Sequence, residues 1–190
     1  AVKRSTHNVT ISGYGQIRPH KKIHLSSEVS GIIHYIHPNL KNGNTVNKGE
    51  IIIKIDPTDY LLRLELQKNK TITLKAEFHS LENELRNAKK SLQLQQEITE
   101  LSERDLTRQR QLNKKSLGSV AQTEIKEKNY LSAQQSLLSI QTKIDSLKNK
   151  IIINSARISE ALSIQKIEQQ NIEKCRIIAP FTLRVIKLQT

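Results

Sequence analysis

The chain has 190 residues, a formal net charge of +13 and 3% aromatic residues, with no Trp and no Met. Such a length allows one compact domain, but so few large apolar side chains exclude a sizeable globular core around a buried active site. No stretch approaches the ~18 apolar residues of a membrane-spanning helix, and the single Cys175 excludes an intrachain disulfide.

The opening AVKRSTHNVT has neither an initiator Met nor an apolar signal core, so any signal or anchor is expected to have been removed or never included. Residues 1–22 are read as an N-terminal strand segment. Asn8-Val9-Thr10 fits a glycosylation triplet, a pattern common by chance. Residues 23–56 read as a small β unit, with strands expected at Ile23–Ser27, Gly31–Ile36 and Glu50–Ile55. Asn42-Gly43-Asn44 and Lys48-Gly49 supply the turns, where positive φ is needed. Asp56-Pro57 closes this unit and opens a helix, with Asp as N-cap and Pro at the first helical position.

Between Thr58 and Ala179 there is no Pro and one Gly, Gly118, at the midpoint. Helix interiors reject both residues, by ~3 and ~1 kcal/mol relative to Ala. The stretch is therefore predicted to form two equal helices, 58–113 and 120–174, folded back at Gly118. Each spans ~80 Å at 1.5 Å per residue. In the second arm Tyr130, Ala133, Leu137, Ile140, Ile144, Leu147, Ile151, Asn154, Ile158 and Ala161 keep 3,4 spacing, a coiled-coil seam. The first arm runs Leu74, Phe78, Leu81, Leu85, Ala88 and Leu92, then shifts to Leu94, Ile98 and Leu101, which reads as a stutter. The leucines and isoleucines are core, not cofactor contacts.

Charge is uneven. Arg104, Arg108, Arg110, Lys114 and Lys115 cluster before the bend, near Asp105 and Glu124. Two readings stand: a solvated turn, or an end-on contact with an acidic or carbonyl-rich partner favoured by steering. Catalytic and metal constellations are not found. His34 and His37, three apart on a strand, point to opposite sides, and His20 with His24 are no better placed. No Gly-rich phosphate loop precedes a helix. Cys175 reads as a small apolar residue near a helix end. No enzyme activity, metal or cofactor is expected.

Val29-Ser30-Gly31-Ile32-Ile33, then Leu40, Gly43, Val46 and Lys48-Gly49-Glu50, then Ile53, Ile55 and Asp56-Pro57, resemble the first half of a lipoyl-like domain. The domain is that of periplasmic adaptor proteins, the membrane fusion proteins of HlyD/AcrA-like tripartite efflux and secretion systems. In that family a helical hairpin interrupts the domain, which resumes at a motif of the form I-x-A-P-F-x-x-x-V, here Ile177 to Val185. The resemblance implies a mostly α fold, a long antiparallel coiled-coil hairpin inserted into a partial lipoyl-like β domain. Its parts would be 23–56 as first half, 57–174 as hairpin with its tip near 114–119, and 175–190 as the start of the second half. Thr182-Leu183 stand where the family often has Asp-Gly. Because about a dozen residues follow Ala179, a fragment is expected, lacking further β domains. Strand Ile177–Lys187 should pair with the first half, leaving edges for a neighbouring molecule or residues 9–18 to cover.

Family members that dock on TolC-type channels are similar in an Arg-x3-Leu-x6-Ser signature at the tip, met here by Arg108, Leu112 and Ser119. The resemblance implies partner binding by these three, on a turn formed with Lys114, Lys115 and Gly118. Arg supplies forked donors, Leu an apolar knob, and Ser a hydroxyl that caps the second helix. It also implies an inner-membrane transporter (resistance–nodulation–division type favoured over ABC or major-facilitator), neighbouring adaptor protomers, and a periplasmic, inner-membrane-associated location in a Gram-negative bacterium. A swinging-arm Lys is not expected, because the hairpin occupies its position. Drug or toxic-compound efflux is the first reading and type I secretion the nearer alternative. A basic nucleic-acid-binding coiled coil is the alternative of a different class; it is disfavoured because charges along the arms nearly balance and aromatics are scarce, so no nucleic-acid partner is expected.

Overall fold

The computed structural model describes residues 2–6, 8–16, 18–19 and 21–187. His20, considered above with His24, lies outside them, as do residues 188–190. The elements are β1 (Ile33–Ile36), β2 (Thr45–Val46), β3 (Ile51–Ile55), α1 (Thr58–Lys114), α2 (Val120–Lys174), β4 (Arg176–Ile178) and β5 (Leu183–Arg184). The two helices lie antiparallel as a hairpin, and the strands gather at its open end.

Chain punctuation explains the helix ends. Asp56 does cap α1, but from one residue further out than expected: Pro57 is the N-cap position, and Asp56 Oδ1 accepts from the Thr58 N–H (3.0 Å) and hydroxyl (2.6 Å). These bonds hold the Asp56 carboxyl below its ordinary value of 3.8. At the other end, Lys174 is the last helical residue before Cys175 and the strands.

The hairpin interior follows one uninterrupted heptad. On α2 every predicted seam residue from Tyr130 to Ala161 is buried or half-buried. Ala88, Ile144 and Leu147 form its central cluster, packed by Leu81, Leu85, Leu92 and Ile140. On α1 the inward positions are Leu64, Gln67, Thr71, Leu74, Phe78, Leu81, Leu85, Ala88, Leu92, Gln95, Thr99, Ser102, Leu106, Gln109 and Asn113. The stutter is therefore absent. Leu94, Ile98 and Leu101 lie outside the seam, 62%, 51% and 60% exposed. The unbroken period of α2 imposes the same period on α1. Polar residues fill the distal seam at little cost because they find partners: the Gln95 amide (3.1 Å) and Thr99 hydroxyl (3.4 Å) both donate to the Ala133 carbonyl.

In the β unit, β3 is central, flanked antiparallel by β1 and β4, while β2 pairs antiparallel with β5. Both segments after the hairpin thus return to the segments before it. Val46, Ile52, Ala179 and Val185 are the core, with Leu40, Ile53, Ile177 and Leu183 packed around them. Gly43 and Gly49 take φ of +88° and +86°, and their N–H groups donate to the Val185 (2.8 Å) and Ala179 (2.9 Å) carbonyls.

Three expectations are corrected. Ile23–Ser27 forms no strand; its side chains are exposed and no neighbouring strand offers a ladder. The expected strand Ile177–Lys187 is broken into β4 and β5, because Pro180 cannot donate to a ladder. The described residues of 9–18 do not cover the sheet; Val9, Ile11 and Tyr14 are almost wholly exposed.

Candidate functional site at the hairpin tip

α1 ends in a Schellman arrangement. The Leu117 N–H donates to the Leu112 carbonyl (3.0 Å) and the Ser116 N–H to that of Asn113 (2.9 Å). The left-handed residue is Ser116, at φ 59°, not Gly118. Gly118 is required for space: a β-carbon there would meet Asn113 Oδ1 at 2.1 Å and the Asn113 backbone nitrogen at 3.0 Å. Asn113 in turn ties the two helices, its amide donating to the Thr123 hydroxyl and, at 3.4 Å, to the Ser119 carbonyl.

Arg108, Leu112 and Ser119 are all on the surface. Arg108 and Leu112 are one helical turn apart on one stripe of α1, and the Arg108 side chain is 71% exposed. Ser119 takes the N-cap position of α2 in extended conformation, but its hydroxyl makes no capping bond; only its carbonyl serves, accepting from Thr123. The capping role read for the Ser119 side chain is thereby corrected. Lys114, Lys115 and Gly118 are exposed at the turn. The seam is not closed below the tip by Leu101, as its spacing suggested, but by Leu106, Gln109 and Asn113.

Charge at the tip is less free than composition implies. Arg104 pairs with Glu100, Arg108 with Asp105, and Arg110 reaches across the seam to Glu127 (3.0 Å). Lys126 meets Asp105 at 3.1 Å. That hydrogen bond and charge, with Arg108 adding less, hold the Asp105 carboxyl below its ordinary value. Such exposed pairs contribute little stability, but they orient the arginines. Two apolar residues escaped the sequence reading: Leu117 and Val120, strongly exposed beside the motif. They sit in and just after the turn, where no periodicity marks a face.

Elsewhere the molecule is poor in chemistry. A shallow cleft of about 410 Å³ between hairpin and β unit is lined by His34, Lys54, Asp56, Cys175 and Arg176, among others. Burial, and secondarily Asp56, pushes the Cys175 thiol up, away from the reactive thiolate. His37 is occupied by the turn, accepting from the Asn39 N–H at 3.1 Å. Among the described residues no group of three or more His, Cys, Asp or Glu is arranged to hold a metal ion, and no helix is long and apolar enough to cross a membrane.

No protein-family model matches the chain. A sequence relative is the pyoverdine export membrane fusion protein PvdR of Pseudomonas putida, 24% identical over 98 residues; the match covers 52% of this chain and 24% of the relative. The chain thus spans about a quarter of the length of the curated relative it matches. Among solved structures, the periplasmic adaptor protein EmrA is 21% identical, with 84% of this chain and 64% of that one covered and a TM-score of 0.45. MacA from Actinobacillus actinomycetemcomitans is 19% identical, with 83% and 40% covered and a TM-score of 0.38. Over about half of its length, the chain is therefore similar in sequence to a membrane fusion protein.

Proposed function

We propose that the chain is the hairpin-bearing part of a periplasmic adaptor that bridges an inner-membrane transporter, of the resistance–nodulation–division type in the first instance, to a TolC-type outer-membrane channel. The exported material would be a drug or toxic compound. PvdR's part in pyoverdine export brings other small exported compounds within the same reading. One observation carries the proposal: Arg108, Leu112 and Ser119 stand on the surface at the end of a rod ~80 Å long. The function is mechanical reach. The hairpin spans distance in the periplasm, its tip meets the channel, and the β end stays on the transporter side.

In the full-length protein, Arg108→Asp and Leu112→Ser should each abolish efflux while helix content and melting temperature stay near those of the parent. Neither side chain is a core residue, and surface substitutions move stability by ~0.5 kcal/mol or less. Arg108→Asp also sets a second carboxylate beside Asp105, so Arg108→Gln serves as the control that removes the donor without adding repulsion. Efflux that survives both Arg108→Asp and Leu112→Ser would reduce the tip to a turn.

A further inference from the structure

The distal third of α1 carries two seams one position apart. Gln95, Thr99 and Ser102 face α2, while Leu94, Ile98 and Leu101, each one residue earlier, stay outside the contact. At this height α2 offers an apolar face. Gln95 and Thr99 both donate to the Ala133 carbonyl, and counting antiparallel from there sets Leu137 level with 94–95 and Tyr130 level with 101–102. Tyr130, Ala133 and Leu137 thus meet three polar side chains, with three apolar ones a turn of about 100° away. Nearer the β unit no such choice exists. Leu81, Leu85 and Ala88 pack the seam, and the residues before them are Ser80, Glu84 and Asn87. The outer stripe continues at helical spacing through Asp105 and Arg108 to Leu112.

From this juxtaposition we infer that the distal third of α1 has two seats against α2 and turns between them, exchanging Gln95, Thr99 and Ser102 for Leu94, Ile98 and Leu101. The observed seat is held by the two bonds to the Ala133 carbonyl, by Leu106, which is 3% exposed, and by Asn113 on Thr123. The second seat gives these up and gains the burial of the stripe. No charge is stranded by the turn. Asp105 comes inward with the stripe, and it already holds Lys126 of α2 at 3.1 Å and pairs with Arg108. Arg108 and Leu112 lie on the same stripe, so the turn carries them toward α2 and off the surface. A partner that binds them on the surface selects the observed seat, and a chain in the second seat withdraws them. That last consequence rests on the tip being the docking end; the two seats do not.

The rate of internal disulfide formation in dilute chain tests it, since the native Cys175 is 1% exposed. Tyr130→Cys is combined in turn with Ser102→Cys, Leu101→Cys or Glu100→Cys. Ser102 is the seam residue level with Tyr130 in the observed seat. Leu101 and Glu100 point equally far from α2 on opposite sides of α1. A bridge from either needs a turn of the helix, and only the turn toward Leu101 brings an apolar stripe inward. The Leu101 pair should bridge at roughly 0.1–10% of the Ser102 rate, the share of time a minor state is occupied, and several-fold faster than the Glu100 pair. Adding Gln95→Leu and Thr99→Val makes the observed seam apolar. It should slow the Leu101 bridge several-fold and leave the Ser102 bridge unchanged. Leu137→Cys with Leu94→Cys or Gln93→Cys repeats the comparison should Tyr130→Cys alter the fold, which circular dichroism reports. Equal rates from Leu101 and Glu100, no bridge from Leu101, or a Leu101 bridge indifferent to Gln95→Leu with Thr99→Val would each overturn the inference.

Discussion

Ser116 holds the left-handed position that ends α1, at φ 59°, a conformation that costs a residue with a β-carbon ~1–2 kcal/mol. Its N–H and that of Leu117 close the helix whatever the side chain is, so Ser116→Gly keeps both bonds and relieves the cost. Glycine's greater freedom in the unfolded chain offsets part of the gain. A net stabilisation of ~0.5–1 kcal/mol is expected, read as a melting-temperature rise of roughly 1–4 °C; a fall would show that the Ser116 side chain contributes a bond of its own. The glycine two residues on is there for a different reason. Gly118 is confined by Asn113, and that spatial demand is invisible in a sequence, which marks a bend without saying which of its residues bends.

The seam carries its own anomaly. Asn154 is 2% exposed and neither its amide nitrogen nor its oxygen has a partner. Burying an unsatisfied polar group costs ~1–3 kcal/mol, so Asn154→Leu should raise the melting temperature by several degrees. A buried polar seam residue also fixes register; the same variant should therefore show mixed association states by light scattering. A variant less stable than the parent would mean that Asn154 is satisfied in solution. Much of this element was legible beforehand. Pro57, Gly118 and Pro180 bracket the helices, and the α2 heptad from Tyr130 to Ala161 is the one observed. What could not be read was the distal half of the α1 seam, because counting apolar residues favours Leu94, Ile98 and Leu101 over Gln95, Thr99 and Ser102. The partner helix decides that contest, through an unbroken period and a carbonyl for the polar side chains. Short strands fail for a similar reason. Thr45–Val46 is too brief to show alternation, and Ile23–Ser27 has the composition of a strand without a neighbour to pair with. At the tip the motif residues were legible as a spacing, but Leu117 and Val120 were not, since a turn has no period.

At the scale of the molecule, a rod of two helices ends in a small β unit whose two halves are far apart in the chain. The Ile55 N–H donates to the Cys175 carbonyl (2.8 Å), and the Ala179 N–H to that of Glu50 (2.9 Å). Bringing such distant segments together from a random coil is entropically unfavourable and slow, whereas helix pairing at the turn is local. The architecture thus sets an order of events: the hairpin zips from its turn toward the open end, and the strands clasp last. Leu106→Ala, near the turn and costing ~2–5 kcal/mol, should slow refolding. Val46→Ala, in the wholly buried core of the clasp, should leave refolding almost unchanged and speed unfolding. Stopped-flow rates for the two variants check this, and equal slowing of refolding by both would reverse the order. Since the clasp is made last, it is also what unfastens first. Pulling the chain by its two ends should release the β strands before any helical turn yields, and the hairpin should then peel from its base with the turn at Ser116 the final part to open.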